Sequence, residues 1–215
     1  VDVGVSTLLN LGSACMYPRN APNPLLESSI LTGELEPTNE GYALAKVMTA
    51  KLCLYAMIEN PKLNYKTIIP CNIYGRHDKF EPDKSHLLPA IIAKVHTAIK
   101  ERRDVIDIWG DGLARREFMY AADLADAILQ GAKDVEQLPN LMNCGLGYDY
   151  TITEYYEAVA RVLGWVGEFN YDLTKPVGMA RKLCDIGLQE RWGWTATTSL
   201  EAGIAYTNQF YLERL

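Results

Sequence analysis

Two kinds of apolar segment alternate along the chain, and that alternation limits the fold more than any other feature. Short runs bounded by turn residues, "VSTLLNLGS", "YKTIIPCNIYG", "VIDIWGDG", "REFMY", "LMNCGLG" and "EFNYD", read as strands. Between them lie longer segments with helical spacing: "PTNEGYALAKVMTAKLCLYAMIEN", "SHLLPAIIAKVHTAIKER", "AADLADAILQGAK" and "TITEYYEAVARVLG". "SLEAGIAYTNQFYLERL" closes the chain as an amphipathic helix. The expected helix caps are Thr38 or Asn39, then Ser85, then Thr153. Strands alternating with helices predict an α/β fold around a mainly parallel sheet. Ligands of such sheets sit beyond the carboxyl ends of the strands. "GSACMYP", from Gly12 to Pro18, and "PCNIYG" both fall at that edge.

Composition narrows the function. With 215 residues, 48% of them hydrophobic, the chain can build one large domain or a domain with a lobe. A net charge of -6 gives no general attraction for nucleic acid or an anionic membrane surface. It still allows a local basic pocket for a phosphorylated ligand. No apolar run is expected to reach the roughly 18 residues of a membrane span, and no basic n-region marks a signal peptide. Five cysteines without a CxxC spacing argue against a disulfide framework or a metal site. Reduced thiols and a cytoplasmic protein are the expectation.

"YALAK" places Tyr42 and Lys46 four residues apart on one helix face. A phenol titrates near pH 10, too high for work at neutral pH, and a nearby ammonium favours its phenolate. The pair therefore suits proton transfer, although such a spacing also arises by chance on many helices. Ser13 lies upstream at a strand end. This Ser…Tyr-x-x-x-Lys arrangement resembles the extended short-chain dehydrogenase/reductase superfamily. There a serine and a tyrosine hold a carbonyl oxygen, and the lysine also binds the nicotinamide ribose. Dehydratases of that superfamily carry Asp-Glu after the serine, whereas "SACMY" has no acid and places Cys15 two residues on. Together with "LEPTNEGYALAK", "PCNIYGRHDKF", "SHLLPAIIAKVH", "WGDGLARREF" and "KPVGMARKLCD", this resembles the GDP-L-fucose synthase family.

The resemblance implies a Rossmann-like, doubly wound, mainly parallel sheet with a smaller α/β substrate-binding lobe. Residues 1–75 would belong to the NADP-binding part and 76–215 mostly to the GDP-sugar lobe, with about 117–146 returning to the first part. It implies NADPH as cofactor and a GDP-linked 4-keto-6-deoxy sugar as substrate, which is epimerised at carbons 3 and 5 and then reduced at carbon 4. Cys15 matches the epimerisation base and His86 its proton-donating partner; from the sequence alone the alternative for His86 is a histidine bonding locally at a helix start. Ser13, Tyr42 and Lys46 match the carbonyl clamp and reduction machinery. Leu11, Gly12, Ser13, Ala14, Tyr42, Lys46, Pro70, Cys71, Asn72, Ile73 and His86 match cofactor-binding positions. Cys15, Asn72, Lys94, Trp109 and Arg116 match substrate contacts, with core packing the alternative for Trp109. Arg115 is expected in solvent, and His77 and His96 in structural or surface places.

Two departures from the family pattern stand out. Val177 occupies a position where many members carry an Asp that contacts substrate, so the sugar or nucleotide can differ; GDP-colitose and GDP-heptose enzymes share the machinery. No GxxGxxG or GxGxxG is present, and the family pattern's first roughly 95 residues, which hold that pyrophosphate loop, have no counterpart here. The alternative is a truncated, non-catalytic module that binds a sugar nucleotide or dimerises. A homodimer is implied, with Met48, Leu52, Tyr55 and Ile58 as candidate interface residues that core packing explains equally well.

Overall fold

The computed structural model describes residues 4–81, 84–175 and 179–214. In chain order the elements are β1 (Thr7–Leu11), α1 (Glu40–Glu59), β2 (Asn64–Pro70), β3 (Asn72–Tyr74), α2 (Leu87–Glu101) and β4 (Val105–Trp109). They continue with β5 (Arg115–Arg116), β6 (Phe118–Tyr120), α3 (Ala121–Lys133), β7 (Leu141–Cys144), β8 (Tyr150–Thr151) and α4 (Ile152–Leu163). The last are β9 (Glu168–Asp172), β10 (Arg181–Lys182), α5 (Gly187–Trp192) and α6 (Leu200–Leu212).

The α/β expectation holds. β1, β2 and β7 form a parallel sheet with β2 in the middle. A central strand covered on both faces needs an almost continuous apolar run, which Ile68 and Ile69 supply at full burial. Val47 and Ala50 of α1, Met142 of β7 and Ala127 of α3 complete that core. A second core gathers α2, α4 and α6 behind β4, whose Ile106 and Ile108 point inward while Val105, Asp107 and Trp109 point out. β4 pairs in parallel with β9, and β5 lies between β10 and β8.

Several elements differ from the sequence reading. "YKTIIPCNIYG" is two strands, because the chain leaves β2's sheet at Cys71 and pairs as β3 with β6. "REFMY" breaks at Glu117 for the same reason: β5 and β6 belong to different sheets. α4 opens at Thr151, where Thr151 and Glu154 form a reciprocal capping box. Thr153 instead donates to the Gly112 carbonyl at 3.3 Å. α2 is entered through His86, not Ser85, and neither side chain caps it.

One helical stretch among the described residues, Pro37–Glu59, is long and apolar enough to cross a bilayer by length and composition. The sequence reading did not anticipate it. The reason is that α1 is apolar on two faces. Ala43, Val47, Ala50 and Cys53 are buried, while Leu44, Met48, Leu52, Tyr55 and Ile58 are exposed. Core packing therefore does not account for the four residues named as interface candidates.

Candidate active site

The carboxyl edge of β1 and β2 carries the candidate chemistry. The parallel ladder runs one residue past β1, with the Gly12 amide donating to the Ile68 carbonyl at 2.8 Å. Gly12 fits closely there: a Cβ would lie 3.0 Å from the Met16 sulfur and 3.1 Å from Ile69, so those side chains would have to shift. The chain then turns sharply. Ser13 caps a single 3-10 turn, Ala14–Met16, by accepting the Cys15 amide at 3.2 Å. That turn lifts Cys15 off the sheet into a partly exposed position, while Ala14 and Met16 pack inward.

α1 runs beside this edge. Lys46 Nζ donates to the Leu11 carbonyl at 2.9 Å and sits 5.7 Å from the Tyr42 ring centroid. Tyr42 is half exposed, so its phenol is open to a ligand. The structure thus brings Ser13, Cys15, Tyr42 and Lys46 to one edge. Pro70 ends β2 at the same edge, with Asn72 and Ile73 on β3. The Cys71 thiol is turned away: burial, then nearby Glu117, pushes its pKa well up. Only the main chain of Cys71 is left to meet a cofactor.

Two adjoining cavities open from this edge. The smaller, about 390 Å³, is lined by Cys15, Tyr17, Glu36, Asn39 and Lys182 among others. The larger, about 840 Å³, includes Ser85, Lys94, Trp109, Tyr156 and Tyr211. Asn72 and Arg116 line both and so join them. Asn72 is held by its amide donating to the Glu117 carbonyl at 2.9 Å. Arg116 donates to the carbonyls of Arg115 and Met179 at 2.8 and 2.6 Å, and burial lowers its pKa. Lys94 donates to the Asp107 carbonyl and lies 5.8 Å from the Tyr156 ring. Burial pulls its pKa down as well. Four cations, Arg116, Lys94, Arg103 and Lys182, therefore line the cavities of a chain with net charge -6. That is a local setting for a phosphorylated ligand.

Other sequence expectations meet mixed outcomes. Trp109 is 67% exposed with Lys175 5.6 Å over its ring, which removes the core-packing alternative. His86 is exposed and lines neither cavity, although its neighbour Ser85 lines the larger one. Arg115 is not simply solvated: it bonds Asp149 at 2.6 Å. Burial alone would raise the Asp149 pKa, but Arg181 and Arg115 together hold that carboxyl below its ordinary value. His77 packs on Phe210, and His96 bonds Asn208 at 2.8 Å. Val177 lies outside the described residues.

The sequence reading missed Asn39 and Lys182. The Asn39 amide donates to Cys15 Sγ at 3.3 Å, and Lys182 Nζ approaches the same sulfur at 3.8 Å. Asn39 was read only as a cap, and Lys182 stands 167 residues from Cys15. Its sole signal was membership in "KPVGMARKLCD".

A parallel sheet with a serine at one strand's end and a Tyr-x-x-x-Lys helix beside it is the arrangement of a short-chain dehydrogenase/reductase fold. The chain belongs to the NAD dependent epimerase/dehydratase family, whose pattern matches residues 1–145. It is 54% identical to a GDP-L-colitose synthase of Yersinia pseudotuberculosis over 211 residues, covering 98% of this chain and 68% of that protein. It is 52% identical to a GDP-L-fucose synthase of Azorhizobium caulinodans over 208 residues, covering 97% and 66%. The chain thus spans about two thirds of the length of these relatives. Among solved structures, it superposes on a GDP-mannoheptose C4 reductase from Campylobacter jejuni with NADP bound. The TM-score is 0.86 at 29% identity, over 97% of this chain and 70% of the other.

Proposed function

We propose that the chain carries the catalytic edge and sugar-nucleotide lobe of an NADPH-dependent epimerase-reductase acting on a GDP-linked 4-keto-6-deoxy sugar. The observation that carries this reading is the joined pair of cavities, with Cys15 in one, Lys94 and Trp109 in the other, and Asn72 with Arg116 between them. A diphosphate at Arg116 would leave the base to the larger cavity and the hexose to the smaller. A ketone at carbon 4 acidifies the protons on carbons 3 and 5. Cys15 takes one of those protons as base. His86, exposed at the entry to α2, would have to turn in over the sugar to return a proton from the opposite face. Ser13 and Tyr42 hold the ketone oxygen, and Tyr42 gives it a proton during reduction.

The residues at the β1–β2 edge fit a nicotinamide cofactor. Tyr42 presents a half-exposed phenol with an ammonium beside it, next to the main chain of Leu11 to Ala14 and of Pro70 to Ile73. NADPH, when bound, supplies the reducing equivalent for carbon 4. Lys46 and those main-chain segments would hold it. Residues 1–75 and about 117–146 form this cofactor part in our reading, and the rest forms the substrate lobe. Five free cysteines suit a cytoplasmic setting.

The test is exchange in heavy water. The protein, given GDP-4-keto-6-deoxymannose, should incorporate deuterium beside the ketone, and Cys15→Ser should cut that rate by about 10²-fold or more. Unchanged exchange in Cys15→Ser removes the base assignment, and no exchange in the unaltered protein removes the epimerase. Supplying the keto precursors of both GDP-L-fucose and GDP-L-colitose distinguishes the two substrates suggested by the relatives' names. Micromolar NADPH binding measured by calorimetry argues against a non-catalytic module.

A homodimer through the exposed stripe of α1 completes the proposal. Leu52 and Ile58 are 60% and 66% exposed, and a long apolar stripe on a helix marks an interaction surface. Met48→Glu with Leu52→Glu should convert a dimer to a monomer in sedimentation at micromolar concentration. A wild-type monomer, or a dimer that survives both charges, rejects this interface.

A further inference from the structure

We infer that Lys182 is a positioning residue for Cys15: with the Asn39 amide, it holds the sulfur as an acceptor, the arrangement a thiolate needs. The inference rests on the proposed base role of Cys15 for its meaning, but not for its test.

An ammonium has three donors and no acceptor, so any polar contact it makes with sulfur is one in which sulfur accepts. The Asn39 contact has the same sense, with Nδ2 donating at 3.3 Å while Asn39 Oδ1 stays buried without a partner. Cys15 Sγ thus receives two donors from different parts of the chain.

The placement of Lys182 is fixed by its neighbours. It pairs with Arg116 in β10–β5. On its other side the Leu183 amide donates to Asn23 Oδ1 at 2.8 Å and the Cys184 amide to Glu117 Oε2 at 2.9 Å. The other charged or titratable groups around Cys15 are engaged elsewhere. Arg116 donates to two carbonyls, Tyr17 donates to Asn143, and Glu36 accepts from Thr38. On α1, which packs against the Cys15 turn, Lys46 is bonded to Leu11 and stacked near Tyr42. Lys182 is the cation in contact with the sulfur among the described residues.

The experiment reads the sulfur directly. Cys53, Cys71, Cys144 and Cys184 are all under a tenth exposed, so mild iodoacetamide treatment of the native protein should label Cys15 selectively. Peptide mass spectrometry across a pH series gives the rate at that residue. In Lys182→Met the rate at neutral pH should fall by about tenfold. Lys182→Arg should stay within about threefold of wild type. In the unaltered protein, raising the salt concentration should slow labelling, since the ion contact is partly exposed. If Lys182→Met fails to fold, labelling of the four buried cysteines reveals it, and the salt series with Lys182→Arg then decides. A Lys182→Met profile that superposes on wild type overturns the inference, as does a wild-type rate indifferent to salt. Because alkylation needs no sugar nucleotide, its outcome is independent of whether the exchange assay succeeds.

Discussion

Tyr42→Phe is expected to abolish reduction of the ketone, by about 10²–10⁴-fold, while deuterium exchange beside that ketone continues. The two halves of the proposed reaction draw on different side chains. Exchange needs a base at carbons 3 and 5, the role proposed for Cys15, which lines the smaller cavity. Reduction at carbon 4 also needs a proton on the oxygen, and Tyr42 is the phenol open to a ligand at that edge. The substitution removes one hydroxyl from a half-exposed ring, so stability should change by less than about 0.5 kcal/mol. Lys46 keeps its bond to the Leu11 carbonyl, which holds the cofactor side of the edge in place. NADPH affinity should therefore stay within a few-fold of wild type. Absorbance of NADPH with the keto substrate and mass analysis of recovered sugar in heavy water measure the two halves separately. Reduction retained within tenfold would remove Tyr42 as proton donor. Loss of both activities would mean that the phenol orders the ring for exchange as well.

How much of this was legible in the sequence follows from the range of each interaction. Tyr42 and Lys46 are four apart on one helix, and Ser13 and Cys15 share one turn, so local spacing grouped each pair, while the meeting of the two pairs at one edge came from the family resemblance. Local rules would also have found the α4 cap, because Thr151 and Glu154 form the S/T-x-x-E pattern; Thr153 drew attention only by being a threonine near the start. The strand breaks at Cys71 and Glu117 are marked only by Pro70 before one and a single charged residue at the other. A segment that passes from one sheet to another keeps the same apolar character in both. Lys182 was invisible for a different reason. Its meaning lies in a sulfur 167 residues away, and the strand that carries it has only two residues. His86 was named through the family motif and not by a local rule; the fold places it exposed at the entry to α2, beside Ser85 of the larger cavity.

Glu117 is the break in "REFMY", and replacing it should have the largest effect on stability. Its carboxylate is fully buried and accepts the amides of Leu146, Gly147 and Cys184 at 2.5, 3.0 and 2.9 Å. Gly145 makes room for it, since a Cβ there would stand 2.3 Å from Oε1. Glu117→Ala leaves three donors without a partner and an empty volume, at a cost of about 3–5 kcal/mol in denaturant unfolding. Glu117→Gln preserves the volume but turns one acceptor into a donor, at about 1–3 kcal/mol. The pH dependence separates charge from shape. Burial raises the Glu117 pKa above its ordinary value of 4.5, against the downward pull of the amides. Between that value and the raised one, the folded protein holds a proton that the unfolded chain has released. Its contribution to stability therefore falls as pH rises through that window. Glutamine has no such titration, so wild type should gain on Glu117→Gln as pH is lowered through the window. A difference that does not vary with pH would show that burial does not govern the carboxyl. Through Cys184 this same carboxylate anchors the strand that places Lys182 beside Cys15. Glu117→Gln should then slow Cys15 alkylation as well, linking a buried acid in the fold to the reactivity of a thiol in the cavity.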